Sequence, residues 1–198
     1  MKKFNWKNIK IRKVSIHDID DRLLLINLYV TQAATFIIGM ILIIFQSRNP
    51  FSLFAPIHSW SPLIWGAAFA ALVLIADLAV TRFVPDDVMD DGGVNDRIFR
   101  NRPLWHIAVL SAVVAICEEL LFRGAIQHAI GPYWTSILFA AIHVRYLQHW
   151  LMTGMVFSIS YGLGWIYDQT GTLWTVIFAH FLIDFIMGCI IRYRREEA

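Results

Sequence analysis

Charge is scarce in this 198-residue chain, because lysine, arginine, aspartate and glutamate make up only 16% of it. Cysteine is scarce too: Cys117 and Cys189 both lie in apolar runs and form no CxxC pair, so we expect two small buried side chains rather than a disulfide. The chain also lacks a glycine-rich phosphate loop, an HExxH motif and an internal repeat. These absences argue against a nucleotide-binding loop, a zincin-type protease and a repeat protein, and nothing indicates nucleic-acid binding.

Apolar residues are abundant instead, at 58% of the chain and a mean hydropathy of +0.56. They are gathered into runs, most of which approach the ~20 residues that span a bilayer as a helix. The pattern predicts an all-α polytopic membrane bundle of about six transmembrane helices, the fourth of them short. The six runs are 23–45, 61–80, 103–122, 132–144, 150–167 and 172–191.

The distribution of lysine and arginine predicts the orientation of these helices. Threading six helices from a cytoplasmic N-terminus places nearly all basic residues on the cytoplasmic side, with Arg48 outside and Arg123 within the membrane. Both termini are then cytoplasmic, and Glu118 lies late in an outward-running helix. The predicted regions are a basic cytoplasmic arm (1–22), an N-terminal helix pair (23–80), a polar loop (81–102), a four-helix catalytic core (103–191) and a cytoplasmic tail (192–198).

Two adjacent carboxylates and a guanidinium interrupt the third apolar run, in the sequence EELLFR. Burying such groups unpaired costs several kcal/mol each, so a chain that retains them there usually uses them. Glu119 and Arg123 are one helical turn apart and can neutralise each other as a structural ion pair. Glu118 points about 100° away on the helix and is left as the chemically available carboxylate.

Two later runs carry histidines at membrane depth. His143 ends the segment FAAIH, one turn after Phe139, and His180 is followed one turn later by Asp184 in HFLID. A carboxylate at that spacing can fix the tautomer and orientation of a histidine. Polar groups on three apolar helices most simply converge on one hydrated cavity. The first two helices carry none of these motifs.

Together, EELLFR, FAAIH and HFLID resemble the EExxxR, FxxxH and HxxxN/D motifs of the CAAX protease and bacteriocin-processing (CPBP/Abi) family. This family of intramembrane glutamic endopeptidases includes the type II CAAX prenyl endopeptidases, and the resemblance covers roughly residues 103–191. It implies that Glu118 is a general base for a water held with His143, and that His180 and Asp184 stabilise the oxyanion. It implies no cofactor, a membrane peptide or protein as substrate, and the lipid bilayer as surroundings.

Asp184 departs from the pattern, because many members similar to the prenyl endopeptidases carry asparagine there. An ionised aspartate cannot donate to an oxyanion, so either Asp184 is protonated or it orients a protonated His180. Three alternatives to the glutamic peptidase stay open. Glu118, His143, His180 and Asp184 are zinc ligands by type, which suits a metalloprotease. Asp77, alone in the second run, suits a transporter or proton relay. A non-catalytic bacteriocin-immunity or scaffold protein is the third.

Overall fold

The chain forms helices and no strand within the residues that the computed structural model describes, which are 20–54, 56–85, 88 and 92–194. Most of the basic arm, residues 86–87 and 89–91 of the polar loop, and the end of the tail lie outside these ranges. The helices are α1 (Asp21–Phe45), α2 (Ser61–Phe83), α3 (Val94–Phe99), α4 (Leu104–Glu119), a π-helical segment (Leu120–Ile126), α5 (Gln127–Ile142), α6 (Trp150–Thr170) and α7 (Leu173–Tyr193).

The chain reverses direction at Gly131, inside α5. This residue has φ 77° and ψ 169°, a conformation that glycine alone adopts readily, and Pro132 then suits the first turn of a new helix. In one straight helix, Arg123 and Phe139 would lie roughly 24 Å apart. Instead the Arg123 guanidinium carbon is 5.3 Å from the centre of the Phe139 ring. The segment Leu104–Ile142 is therefore a helical hairpin whose second limb, residues 132–142, is short.

Several of these helices have the length and composition of membrane spans. They are α1, α2, the Leu104–Ile142 segment and α7, while α6 is long enough at 21 residues but less apolar. Because the Leu104–Ile142 segment contains two antiparallel limbs, all six predicted apolar runs are helical. The predicted all-helical, polytopic membrane bundle is confirmed. Large apolar side chains remain exposed on α1 and α2, as suits helices that face lipid, among them Val30, Ile44, Ile64, Leu72 and Ile75.

Glycines allow the helices around the site to pack closely. A Cβ atom on Gly66 of α2 would lie 2.7 Å from the carbonyl oxygen of Thr175, so α2 and α7 touch through their backbones. A Cβ atom on Gly39 of α1 would lie 3.1 Å from the Cα atom of Leu121. The helix α1 therefore packs directly on the π-helical segment, immediately after the two glutamates.

Both ends of the bundle are defined by polar contacts. At one end, Gln46 and Arg48 donate hydrogen bonds of 2.9 and 2.7 Å to the carbonyls of Ala125 and Gly124. The opposite end, where α1 begins and α7 ends, carries most of the arginines, and we call it the basic end. Its arginines are Arg22, Arg82, Arg97, Arg100, Arg102, Arg145, Arg192 and Arg194.

Candidate active site

The backbone widens from α to π geometry immediately after Glu119. The π-helical segment Leu120–Ile126 contains Arg123, and such segments often occur at functional sites. Arg123 is completely buried and donates 2.8 and 3.0 Å hydrogen bonds to the carbonyl and hydroxyl oxygens of Ser160 on α6. The guanidinium therefore joins α6 to the hairpin. Neither the π geometry nor Ser160 was predicted from the sequence.

Glu119 is also completely buried and binds two partners through one oxygen. Its Oε1 accepts from Arg123 Nη1 at 3.0 Å and from His180 Nδ1 at 2.7 Å. Its Oε2 has no hydrogen-bond partner within the described part of the chain. Because Glu119 is held by a cation on its own helix and by a histidine on α7, it fixes the position of His180 in addition to neutralising Arg123.

Glu118 points into a cavity and is only partly buried. Its Oε1 accepts a 3.0 Å hydrogen bond from Nε2 of Gln32, a buried residue of α1. Sequence reasoning did not select Gln32, although an amide in the middle of an apolar run was the available indication. Glu118 is therefore more accessible than its neighbour Glu119. One oxygen of Glu118 is bound to a neutral amide, and the carboxylate borders open space.

His143 follows the last turn of α5 and lines the same cavity. Its Nδ1 lies 2.7 Å from the carbonyl oxygen of Phe139, and the two rings are 4.5 Å apart. Because a carbonyl can only accept, we assign the proton to Nδ1. In the neutral ring, Nε2 then keeps a lone pair that can accept a hydrogen bond from water.

His180 lies between two carboxylates. Nδ1 donates to Glu119, and Nε2 is 3.5 Å from Oδ2 of Asp184, one turn further along α7. The contact with Glu119 is the shorter by 0.8 Å, so Glu119 is the main partner that orients the ring. The sequence pattern indicated Asp184 alone for that role. Asp184 is partly exposed, with its side chain at 30% accessibility.

One cavity of about 680 Å³ is lined by all four side chains that the sequence selected for chemistry: Glu118, His143, His180 and Asp184. Gln32 and Asp77 line it as well, whereas Glu119, Arg123 and Cys117 do not. Within the described ranges, no group of three His, Cys, Asp or Glu side chains is arranged to hold a metal ion. The six polar side chains named here as lining the cavity come from five helices: α1, α2, α4, the end of α5 and α7.

The cavity extends from the bundle centre toward the basic end. Glu118 is about 21 Å from the start of α4 and lies at the deep part. Most of the remaining lining comes from the first half of α1, α6, the second half of α7, α3 and the loop after α5, including Leu24, Val94, Arg145, Tyr146 and Ile191. Although Glu118 comes late in its helix, the cavity lining beside it continues toward the end where that helix begins.

A second, apolar cavity of about 430 Å³ lies between α2 and α6. It is lined by residues such as Phe69, Leu72 and Trp150, and it shares Met155 and Ile159 with the polar cavity. Gly154 also lines it, and a Cβ atom there would meet nothing within 4 Å. An apolar groove thus borders the polar cavity.

Comparison with known proteins agrees with the motifs. Residues 100–186, which contain all three motifs, match the model of the family described as type II CAAX prenyl endopeptidase Rce1-like. The uncharacterized protein YpbD of Bacillus subtilis (strain 168) is 45% identical over 139 residues, which cover 68% of this chain and 74% of YpbD. No solved structure matches. The chain, a multi-pass membrane protein, therefore belongs to the Rce1-like family of membrane peptidases.

Proposed function

We propose that this protein is a glutamic-type endopeptidase that hydrolyses a peptide bond of a membrane-associated peptide or protein with an activated water. The proposal depends on the different surroundings of the two adjacent glutamates. Glu118 borders the cavity that His143, His180 and Asp184 also line, whereas Glu119 is fully buried against Arg123 and His180. One carboxylate is available for chemistry, and the other supports it.

In the proposed reaction, a water binds between the Glu118 carboxylate and Nε2 of His143. Glu118 takes a proton from this water as the water oxygen attacks the substrate carbonyl. Glu118 later gives that proton to the leaving amine. His143 orients the water by accepting its other hydrogen. No acyl-enzyme forms, since the nucleophile is water.

We assign to His180 the stabilisation of the oxyanion of the tetrahedral intermediate. In its protonated form, this ring donates Nδ1–H to Glu119 and presents Nε2–H to the cavity. A donor held in place before the charge develops stabilises the transition state strongly. Asp184, 3.5 Å from Nε2, then maintains the protonated ring instead of donating to the oxyanion itself.

The apolar groove supports a substrate that is associated with the membrane. It lies between α2 and α6 and shares Met155 and Ile159 with the polar cavity. A substrate whose apolar segment occupies this groove brings an adjacent peptide bond close to the polar cavity. The protein would act on such a segment at the boundary of lipid and water.

We further propose that the cavity opens to the cytoplasm, with both termini on that side. The support is that the cavity lining reaches the basic end, where positively charged residues favour the cytoplasmic side. Reporter fusions at Ala198 and within residues 46–60 test the orientation. We expect the first to report the cytoplasm and the second the opposite side, and fusions that report the same side would contradict it.

The substrate is best sought by comparing membrane peptides from cells that carry the wild-type protein or Glu118→Gln. We expect membrane-proximal fragments that appear only with the wild type, and Cys117→Ala is the matched control because Cys117 does not line the cavity. Identical peptide profiles for the wild type and Glu118→Gln would count against a peptidase.

A proton relay is the second candidate, because Asp77 of α2 lines the same cavity. It predicts that Asp77→Asn changes ion flux in proteoliposomes as strongly as Glu118→Gln does. The peptidase predicts instead that Asp77→Asn retains cleavage. Measuring flux and cleavage on the same two variants separates the candidates.

A further inference from the structure

The helix α1 lies outside the segment that matches the family, residues 100–186, yet it reaches the deepest part of the cavity. Gln32 is its contribution there. The side chain is 6% exposed, and its Nε2 donates to Oε1 of Glu118 at 3.0 Å. This contact joins two helices whose residues are far apart in sequence, and it concerns the carboxylate that the proposed function uses as a base.

A buried amide in an apolar helix needs a reason, because an unsatisfied polar group costs about 1–3 kcal/mol. Gln32 leaves its Oε1 without a partner within the described part of the chain. The one side-chain hydrogen bond of Gln32 among these residues is the donation to Glu118. The amide of Gln32 therefore bonds the carboxylate of Glu118 while its own Oε1 stays unpaired among these residues.

The position of Gln32 along the cavity is fixed by the packing of α1. Two turns further on, Gly39 approaches the backbone of Leu121 so closely that a Cβ atom would lie 3.1 Å from the Leu121 Cα atom. At the far end, Arg48 donates to the carbonyl of Gly124 at 2.7 Å. With α1 anchored at both points, the amide of Gln32 is held at one height relative to Glu118.

We propose that Gln32 is a positioning residue for Glu118, so that the peptidase site is incomplete without α1. This inference rests on the proposed function. The amide N–H occupies one carboxylate oxygen, Oε1, and the other oxygen is left to take the proton from water. Gln32 itself touches neither substrate nor water in this role.

The ionisable groups around Glu118 come from several helices and stay unchanged when Gln32 is replaced. They are Asp77 of α2, Glu119 and Arg123 of the hairpin, His143 and Arg145 at the end of α5, and His180 and Asp184 of α7. A fall in kcat with unchanged KM after substitution at position 32 therefore reports on the amide contact itself.

The test compares Gln32→Met with Gln46→Met in the full-length protein in proteoliposomes, with a peptide substrate of the wild-type enzyme. Each variant removes one amide through which α1 binds the hairpin, and only the first touches Glu118. For Gln32→Met we expect kcat to fall about 10-fold or more with KM nearly unchanged. For Gln46→Met we expect wild-type kcat and KM.

If Gln32→Met folds poorly, Gln32→Glu serves as the second variant, because glutamate keeps the size and polarity of the side chain. Its carboxylate lacks the N–H that Glu118 accepts in the wild type, so kcat should again fall with KM nearly unchanged. A wild-type kcat for Gln32→Met, or the same losses in Gln46→Met, would overturn the inference. If these results come with an inactive Glu118→Gln, the positioning role alone fails, whereas an active Glu118→Gln overturns the proposed function itself.

Discussion

Nδ1 of His180 lies 2.7 Å from Oε1 of Glu119, and this oxygen is the same one that accepts from Arg123. The second glutamate of the EELLFR motif is thus the centre of a buried cluster that joins the hairpin to α7. Because Arg123 also binds Ser160, the cluster extends to α6. The chemistry assigned to Glu118 and His180 depends on this support, and the two kinds of role predict different mutant behaviour.

Arg123→Ala should destabilise the protein more than any substitution at Glu118. It leaves Glu119 buried without its cation, and breaking a buried pair commonly costs about 3–5 kcal/mol. We expect a lower melting temperature in detergent and reduced expression. Glu118→Gln is the control, because a glutamine can still bond the amide of Gln32, and it should melt like the wild type. Equal melting temperatures for the two variants would show that the pair contributes little.

Substitutions of His143 and His180 should differ in their effects on melting temperature. His143 bonds to the Phe139 carbonyl of its own helix, so His143→Ala should lower kcat without a large change in melting temperature. His180 binds Glu119 across two helices, so His180→Ala should lower both kcat and melting temperature. Thermal melts and turnover assays on the two variants check this. A His143 variant that unfolds while the His180 variant stays stable would reverse these assignments.

Asp184→Asn should retain most of the activity. The asparagine amide can itself donate to the oxyanion, and Glu119 still lies 2.7 Å from Nδ1 of His180 and can keep the ring protonated. Asp184→Leu supplies neither a charge beside His180 nor a donor, so it should lower kcat by about 10²-fold, a loss typical of a weakened oxyanion site. Measurements of kcat and KM on both variants decide the point. Similar large losses in both would mean that the negative charge of Asp184 is required.

The helices and the residues at the cavity could be predicted because both depend on local sequence. Apolar runs of bilayer length predict the spans, and the spacing of Glu119 with Arg123 places them on one face. The reversal at Gly131 was also implicit, since the predicted third and fourth runs are separate. The structure adds that this reversal sets the short limb beside the π-helical segment.

The contacts between helices could not be read from the sequence. Gln32 with Glu118, Glu119 with His180 and Arg123 with Ser160 join residues on different helices. Such pairs depend on how each helix rotates and where it sits along its neighbour, and periodicity gives neither. The π-helical segment changes the rotation again, because it shifts the faces of the residues that follow Glu119.

Thiol reagents and chelators should leave the activity unchanged. Cys117 is buried and does not line the cavity, so Cys117→Ala should also be fully active. Turnover measured with and without a thiol reagent, and before and after dialysis against a chelator, tests both expectations. Activity that is lost on chelation and restored by Zn²⁺ would replace the glutamic mechanism by the metalloprotease.

Glu118 is the residue proposed to activate the attacking water. The most direct test of this role is the turnover of an identified substrate by purified wild type and Glu118→Gln in the same proteoliposomes, with melting temperatures measured in parallel. We predict that Glu118→Gln loses at least about 10²-fold in kcat, the minimum typical of a general base, and melts like the wild type. Wild-type turnover by Glu118→Gln would contradict the account.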